Sequence, residues 1–221
     1  MNDSIESVRE KLISMSSHFH SVCGWHSLHG VRSNLSDALL NLVKSSGGYL
    51  KLFADNLESD ISVLALCARS LYENNLHIRY VLMGEDKLVL WLSEAITDNI
   101  QVLEGMLALG TEGDARKQRV ILLGEIERLS QMRSKYQLPE VKRPSGPVDV
   151  AKVVGQEDEH QAFFKLYSKL VHPSSYLVNR PSDAGSYEQR LILQIQAQLY
   201  GWDAFERACD SLAIPADIRT L

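Results

Sequence analysis

Apolar residues recur in steps of three and four along almost the whole chain. Ile5, Val8, Leu12, Met15, Phe19 and Val22 make the first such stripe, behind Asp3-Ser4 as a helix start. A polar, His-rich stretch from His18 to His29 is expected to interrupt or end that helix near Gly24. Ser33-Asn34 then offers caps for a second helix carrying Leu35, Leu39, Leu42 and Val43. Gly47-Gly48 is expected to break or kink it before Tyr49, Leu52 and Phe53. Between Leu57 and Met83, one stripe holds Leu57, Ile61, Leu64, Ala68, Leu71, Ile78 and Leu82. Leu66, Leu76 and Tyr80 form a second stripe on roughly the opposite side. A helix apolar on two sides belongs at the centre of a bundle, and Gly84 suits its stop.

The pattern continues. Leu88, Leu92, Ile96, Ile100, Leu103 and Leu107 predict a fourth helix over Glu85 to Leu109, punctuated by Gly110 and Gly113. Ile121, Leu122, Ile126, Leu129 and Met132 predict a fifth from Asp114 to Tyr136, its other positions charged and solvated. Pro139, Pro144, Ser145-Gly146 and Pro147 mark a long loop, 137–156, with one short helical turn from Val148 to Val154. A helix follows from Glu157 to His172, ended by Pro173 because the residue before proline disfavours the helical region. Two more are expected, from Ala184 to Tyr200 and from Trp202 to Leu212. No alternating strand pattern or internal repeat appears. The expectation is an all-α fold, a single helical domain over residues 1–221. Its parts are an N-terminal helix and His-rich turn (1–30), the proline loop, and C-terminal helices (157–221) that complete a bundle of seven to eight.

Charge narrows the function classes. Lys plus Arg number 23 against 28 for Asp plus Glu, a formal net charge of -5. That argues against a broad surface for coating nucleic acid, which needs excess positive charge to displace counterions. Cys23, Cys67 and Cys209 are too far apart for a metal knuckle or redox pair and read as free thiols of a reducing compartment. The opening residues Met1-Asn2-Asp3-Ser4 lack a secretion-signal pattern, and no apolar run is long enough to span a membrane. A cytoplasmic protein is expected.

Three groups of residues carry candidate chemistry. Arg69, Glu73 and His77 share one helix face, beside Leu66, Leu76 and Tyr80, and so are expected to be partly buried. They form either an ion pair that locks the bundle or a polar binding pocket. In the segment Tyr167-Ser168-Lys169-Leu170-Val171-His172-Pro173-Ser174-Ser175, His172 lies at a helix C-terminus with Lys169 and Lys165 one and two turns before it. It either caps that helix or, with Ser174 beside it, transfers protons while the lysines hold phosphate. His18, His20, Cys23, His26 and His29 form the third group. If the helix continues, His20, Cys23 and His26 at i, i+3 and i+6 converge on a transition metal such as zinc; with no recognised metal-ligand spacing present, loop or interface residues are the preferred reading. Phosphate loops, dinucleotide fingerprints and the Gly-x-Ser-x-Gly elbow are absent. No cofactor is implied.

Arg69-Ser70-Leu71-Tyr72-Glu73 on an early helix, followed by the Tyr167–Ser174 segment, resembles an uncharacterised family of bacterial all-helical proteins. That family shows an Arg-Ser-x-x-Glu helix and a later Tyr…His-Pro segment, and it is similar in turn to the HEPN superfamily of helical bundles. The resemblance implies a dimerising helical core. In active members it also implies metal-independent ribonuclease activity from an Arg-x4–6-His motif, in toxin or phage-defence settings. Only His172 carries over. The positions where the arginine belongs hold Lys165 and Tyr167, and lysine does not make the planar bidentate clamp of arginine.

The expected function is therefore a non-catalytic or degenerate HEPN-like module that binds a partner or itself, as a homodimer and without a membrane. Arg69, His77, Lys165, Tyr167, Lys169 and Ser174 are its candidate binding residues. The alternative is a metal-independent ribonuclease acting on RNA, with His172 and Glu73 catalytic. A third reading is a small-ligand sensor built on the Arg69–Glu73 pocket.

Overall fold

A computed structural model describes residues 4–109 and 115–220. They contain helices and no strand. Seven helices are long: α1 (Ile5–His29), α2 (Asn34–Asp55), α3 (Ile61–Val81), α4 (Glu85–Leu109), α5 (Ala115–Lys135), α7 (Glu157–Val171) and α10 (Tyr187–Ser211). Four short pieces, α6 (Pro147–Val153), α8 (Ser175–Asn179), α9 (Pro181–Ala184) and α11 (Ala216–Arg219), fill the connections. Asp3, Gly110, Gly113 and Asp114, to which the sequence pattern assigns helix ends, lie outside the described residues.

Serine caps the starts of α1, α2, α8 and α10. Ser4, Ser174 and Ser186 each accept from a backbone N–H three residues on. Ser33 and Ser36 form a reciprocal capping box.

The chain divides into two compact units, residues 1–80 with 147–221, and residues 81–146. In the first, α1 and α2 pack together and α10 packs on α2. Phe19 and Phe205 stack with centroids 4.3 Å apart, and Phe19, Leu39, Leu50, Phe53, Leu71 and Ile78 are wholly buried. The three cysteines are free and buried.

Three expected breaks are absent. The helix α1 runs through Gly24 to His29, α2 runs through Gly47-Gly48, and α10 is one helix through Gly201. A mid-helix glycine costs about 1 kcal/mol relative to alanine, less than the roughly 1.5–3 kcal/mol from burying one large apolar side chain. Val22 and Cys23 just before Gly24 and His26 just after it are all buried, so the helix continues. Two of these glycines are sites of close approach. A Cβ on Gly47 would lie 2.6 Å from His20 Cε1, and the Ser16 hydroxyl donates to the Gly47 carbonyl at 2.7 Å. On Gly201 a Cβ would touch Leu50 Cδ2 and Met15 Cε at 3.4 Å.

The second unit is the α4–α5 hairpin with the loop to Gly146. Leu88, Ser93, Ile96 and Leu129 are among its buried residues on these helices. The Ser145 N–H donates to Glu94 Oε1 at 3.0 Å, tying the proline loop to α4. Towards the hairpin's end burial stops: Val102, Met106 and Leu109 on α4 and Val120, Ile121 and Leu123 on α5 are exposed. No helix among the described residues is long and apolar enough to cross a membrane.

Candidate functional site

The residues that gather chemistry sit on α3, α7 and α10 of the first unit. On α3, Arg69 Nε donates to Glu73 Oε1 at 2.7 Å, one helical turn apart. Their side chains are 22% and 26% exposed, so solvent weakens the pair only in part. The Arg69 guanidinium also lies over the Phe164 ring of α7, 5.2 Å from its centroid.

Tyr72, one residue before Glu73, points into the core. Its ring stacks with His160 at 5.8 Å, meets Tyr200 edge-on at 4.9 Å and lies 6.1 Å from Tyr167. Tyr72 Oη and His160 Nδ1 are 3.4 Å apart. The Tyr200 hydroxyl donates to the Glu159 carboxylate. One turn further along α3, Asp203 of α10 accepts from Asn75 at 2.6 Å, Arg79 at 2.8 Å and Arg207 at 2.7 Å.

The electrostatics follow from this packing. Burial raises the Tyr72 and Tyr167 phenols, and the charges of Glu159 and Glu73 push them the same way. Burial and the hydrogen bond to Glu159 raise Tyr200. All three stay protonated at neutral pH. Burial lowers the His160 imidazole against the opposing pull of Glu73, and Arg69 adds to the lowering. Burial alone would raise the Asp203 carboxyl, but hydrogen bonds from Arg207 and Asn75, with the charges of Arg79 and Arg207, hold it below its ordinary value. The cluster is thus a set of neutral phenols, a neutral imidazole and carboxylates already paired with cations or hydroxyls. Such groups fix helices against one another. Tyr167 alone keeps a loose end: its hydroxyl is fully buried and has no hydrogen-bond partner among the described residues.

Of the candidates read from sequence, this cluster contains Arg69, Glu73 and Tyr167. His77 lies one turn beyond Glu73 on α3, half-buried. Lys165, Lys169 and His172 are exposed, and no hydrogen bond or ion pair among the described residues joins them to Arg69 or Glu73. His172 is the C-cap of α7 in extended conformation, yet its ring does not close the helix. Ser174 does: its hydroxyl donates to the Lys169 carbonyl at 2.7 Å and accepts the N–H that starts α8.

The histidines of α1 point to separate partners. His18 bonds the Arg219 carbonyl at 2.7 Å, His20 the Ser16 carbonyl at 2.8 Å and His29 the Trp25 carbonyl at 2.9 Å. No group of three His, Cys, Asp or Glu side chains placed to hold a metal ion occurs among the described residues.

Residues 57–184 match a family model described as a family of unknown function, DUF5677. The chain belongs to that family. No curated protein and no solved structure matches it. The DUF5677 span covers α3 to α9 and therefore holds Arg69, Tyr72, Glu73, His160 and Tyr167, while Tyr200 and Asp203 on α10 fall beyond it.

Sequence reading missed Tyr72, Glu159, His160, Tyr200 and the Asn75–Arg79–Asp203 set. A signal existed for α7, where His160, Phe163, Tyr167 and Leu170 recur at helical spacing. Nothing local marks Tyr200 as the partner of Glu159, because that bond joins residues 41 apart in sequence.

Proposed function

We propose that this protein is a non-catalytic helical module of HEPN-like ancestry that self-associates in the cytoplasm, in a bacterial phage-defence or toxin setting. The observation that carries this reading is the apolar strip at the end of the α4–α5 hairpin. Val102, Met106 and Leu109 recur on α4 at helical spacing, and Val120 and Ile121 on α5 are 67% and 70% exposed. Two helices alone leave such a strip in water, and contiguous exposed apolar surface of this kind marks an interaction site. Charge favours a second copy as its occupant. This stretch of α4 carries Asp98 and Glu104, and the facing stretch of α5 carries Lys117 and Arg119. A twofold arrangement that lays α4 of one copy on α5 of the other brings acid to base twice while covering both strips.

Sedimentation velocity tests the reading. The wild type is expected to sediment as a dimer, and Met106→Glu with Ile121→Glu as a monomer of unchanged helicity. A monomeric wild type overturns self-association through this strip.

One observation favours the ribonuclease alternative. Lys165 and Lys169 are exposed one turn apart on α7 and His172 is exposed just past its end, a short basic stretch suited to phosphate. Against it, the arginine of the active motif is absent. Purified protein is expected to leave a mixed RNA pool intact in EDTA. Cleavage by the wild type that His172→Ala abolishes would overturn the non-catalytic reading.

A further inference from the structure

A cleft of about 370 Å³ opens where α1 ends and α2 begins, outside the family-matched span. It is lined by His26 from α1, Arg32 from the connection, and Asp37, Leu40, Asn41 and Lys44 from α2. The positions 37, 41 and 44 recur on one face of α2, so a single helix side supplies a carboxylate, an amide and an ammonium.

His26 sets this cleft apart from an ordinary polar groove. Its side chain is only 4% exposed, and its Nδ1 makes no hydrogen bond with any described residue. The ring is seated by Gly30, where a Cβ would come within 2.3 Å of His26 Nε2. A buried imidazole nitrogen without a partner is costly in a finished structure, and here it belongs to a wall of a cleft.

The charge of the lining is unbalanced in one direction. Arg32 Nη2 donates to Asp37 Oδ2 at 3.1 Å, which pairs the one carboxylate, leaves its other oxygen to accept, and uses one of five guanidinium donors. Lys44 has no ion-pair partner among the described residues and is exposed. Several carbonyls in the last two turns of α1 are already engaged. Ser27 donates to Cys23 O at 2.8 Å, the Gly30 N–H to His26 O at 2.7 Å, and His29 bonds Trp25 O at 2.9 Å.

We propose that this cleft binds a small phosphate monoester. Arg32 and Lys44 hold the phosphate, the arginine through its paired donors. Asn41 and Asp37 hydrogen-bond hydroxyls of the organic portion, and Leu40 packs against its carbon frame. The volume decides between an ester and a bare ion. Small-molecule sites occupy about 300–1,000 Å³, far more than inorganic phosphate fills.

Titration calorimetry with ribose 5-phosphate, inorganic phosphate and sulfate tests the assignment on the full chain. Saturable binding of ribose 5-phosphate is expected, at least tenfold tighter than inorganic phosphate or sulfate. Lys44→Gln and Arg32→Gln are each expected to weaken it at least tenfold. Both residues are exposed, so unliganded melting temperature and helicity should hold. Gly30→Ala displaces the His26 ring and is expected to weaken binding as well. No saturable binding of the ester, equal affinity for ester and inorganic phosphate, or affinity unchanged in Lys44→Gln and Arg32→Gln would each overturn the proposal.

Discussion

Helices α3 and α5 are both 21 residues long and take opposite routes to stability. Among the α3 residues Leu64, Leu71, Tyr72, Leu76 and Ile78 are buried to 1% or less, while of the apolar side chains described on α5 only Leu129 is buried. The contrast does not come from hydrophobic residues alone, since α5 carries Val120, Ile121, Leu122, Leu123 and Ile126. It comes from what each stripe meets. The partners of α3 are in the same unit, and its polar residues find acceptors there too. The stripe of α5 extends past the residues that could cover it. An amphipathic stripe therefore states that a partner exists without saying whether the partner is in the chain.

Substitutions sharpen this contrast, beginning with the deepest residue. Removing the ring in Tyr72→Ala should cost about 3–5 kcal/mol in chemical denaturation, as for other buried aromatic side chains. Ile121→Ala, measured at concentrations low enough to keep the protein monomeric, should change stability by no more than about 0.5 kcal/mol. Similar costs for the two would erase the distinction. Arg69→Met should come next, at roughly 1–3 kcal/mol: less than the 3–5 kcal/mol of a fully buried broken pair, because about a quarter of each side chain is wetted. A cost near zero would mean that Glu73 finds water as easily as it finds arginine.

The third test uses pH. The folded His160 lies below its ordinary value of 6.5, so the unfolded chain takes up its proton first as pH falls. Stability contributed by the neutral ring is then present above pH 6.5 and lost as pH drops toward the folded value. The slope of unfolding free energy between pH 7 and pH 5 should be shallower in His160→Gln than in the wild type, and identical slopes would sink this assignment. Tyr167→Phe should have the smallest effect. It deletes a buried hydroxyl that has no partner, so stability should stay within about 1 kcal/mol of wild type or rise. A marked loss would show that the hydroxyl is bonded after all.

Much of the helical order was legible because it rests on local signals. The bounds expected for α4, Glu85 to Leu109, are those observed, and the end of α7 at Val171 follows from Pro173. The errors fell on glycine. Gly24 and Gly47 suggest breaks and the pattern divides α10 around Gly201, yet Gly47 and Gly201 are where helices come close, a property set by His20, Met15 and Leu50 in distant turns. The same division runs through the site. Arg69 and Glu73 are neighbours on one helix, so spacing finds them. Tyr72 meets Tyr200 only after α3 and α10 have packed, and no window of sequence contains both. Against the seven to eight helices expected, the described residues form seven long ones, since the two expected on either side of Gly201 are one, and four short ones; of these α8 starts on the Ser174 cap rather than on a periodic stripe.

The three cysteines turn the first unit into its own clock. Burial pushes Cys23 up to about 11 and Cys67 and Cys209 to about 12, so in the closed molecule they hold almost no thiolate at neutral pH and react poorly with electrophiles. Each resides on a different helix, α1, α3 and α10, and residues 81–146 contain none. The rate at which a thiol reagent consumes each one counts how often its own helix lifts away, with no label added and no signal from the hairpin to subtract.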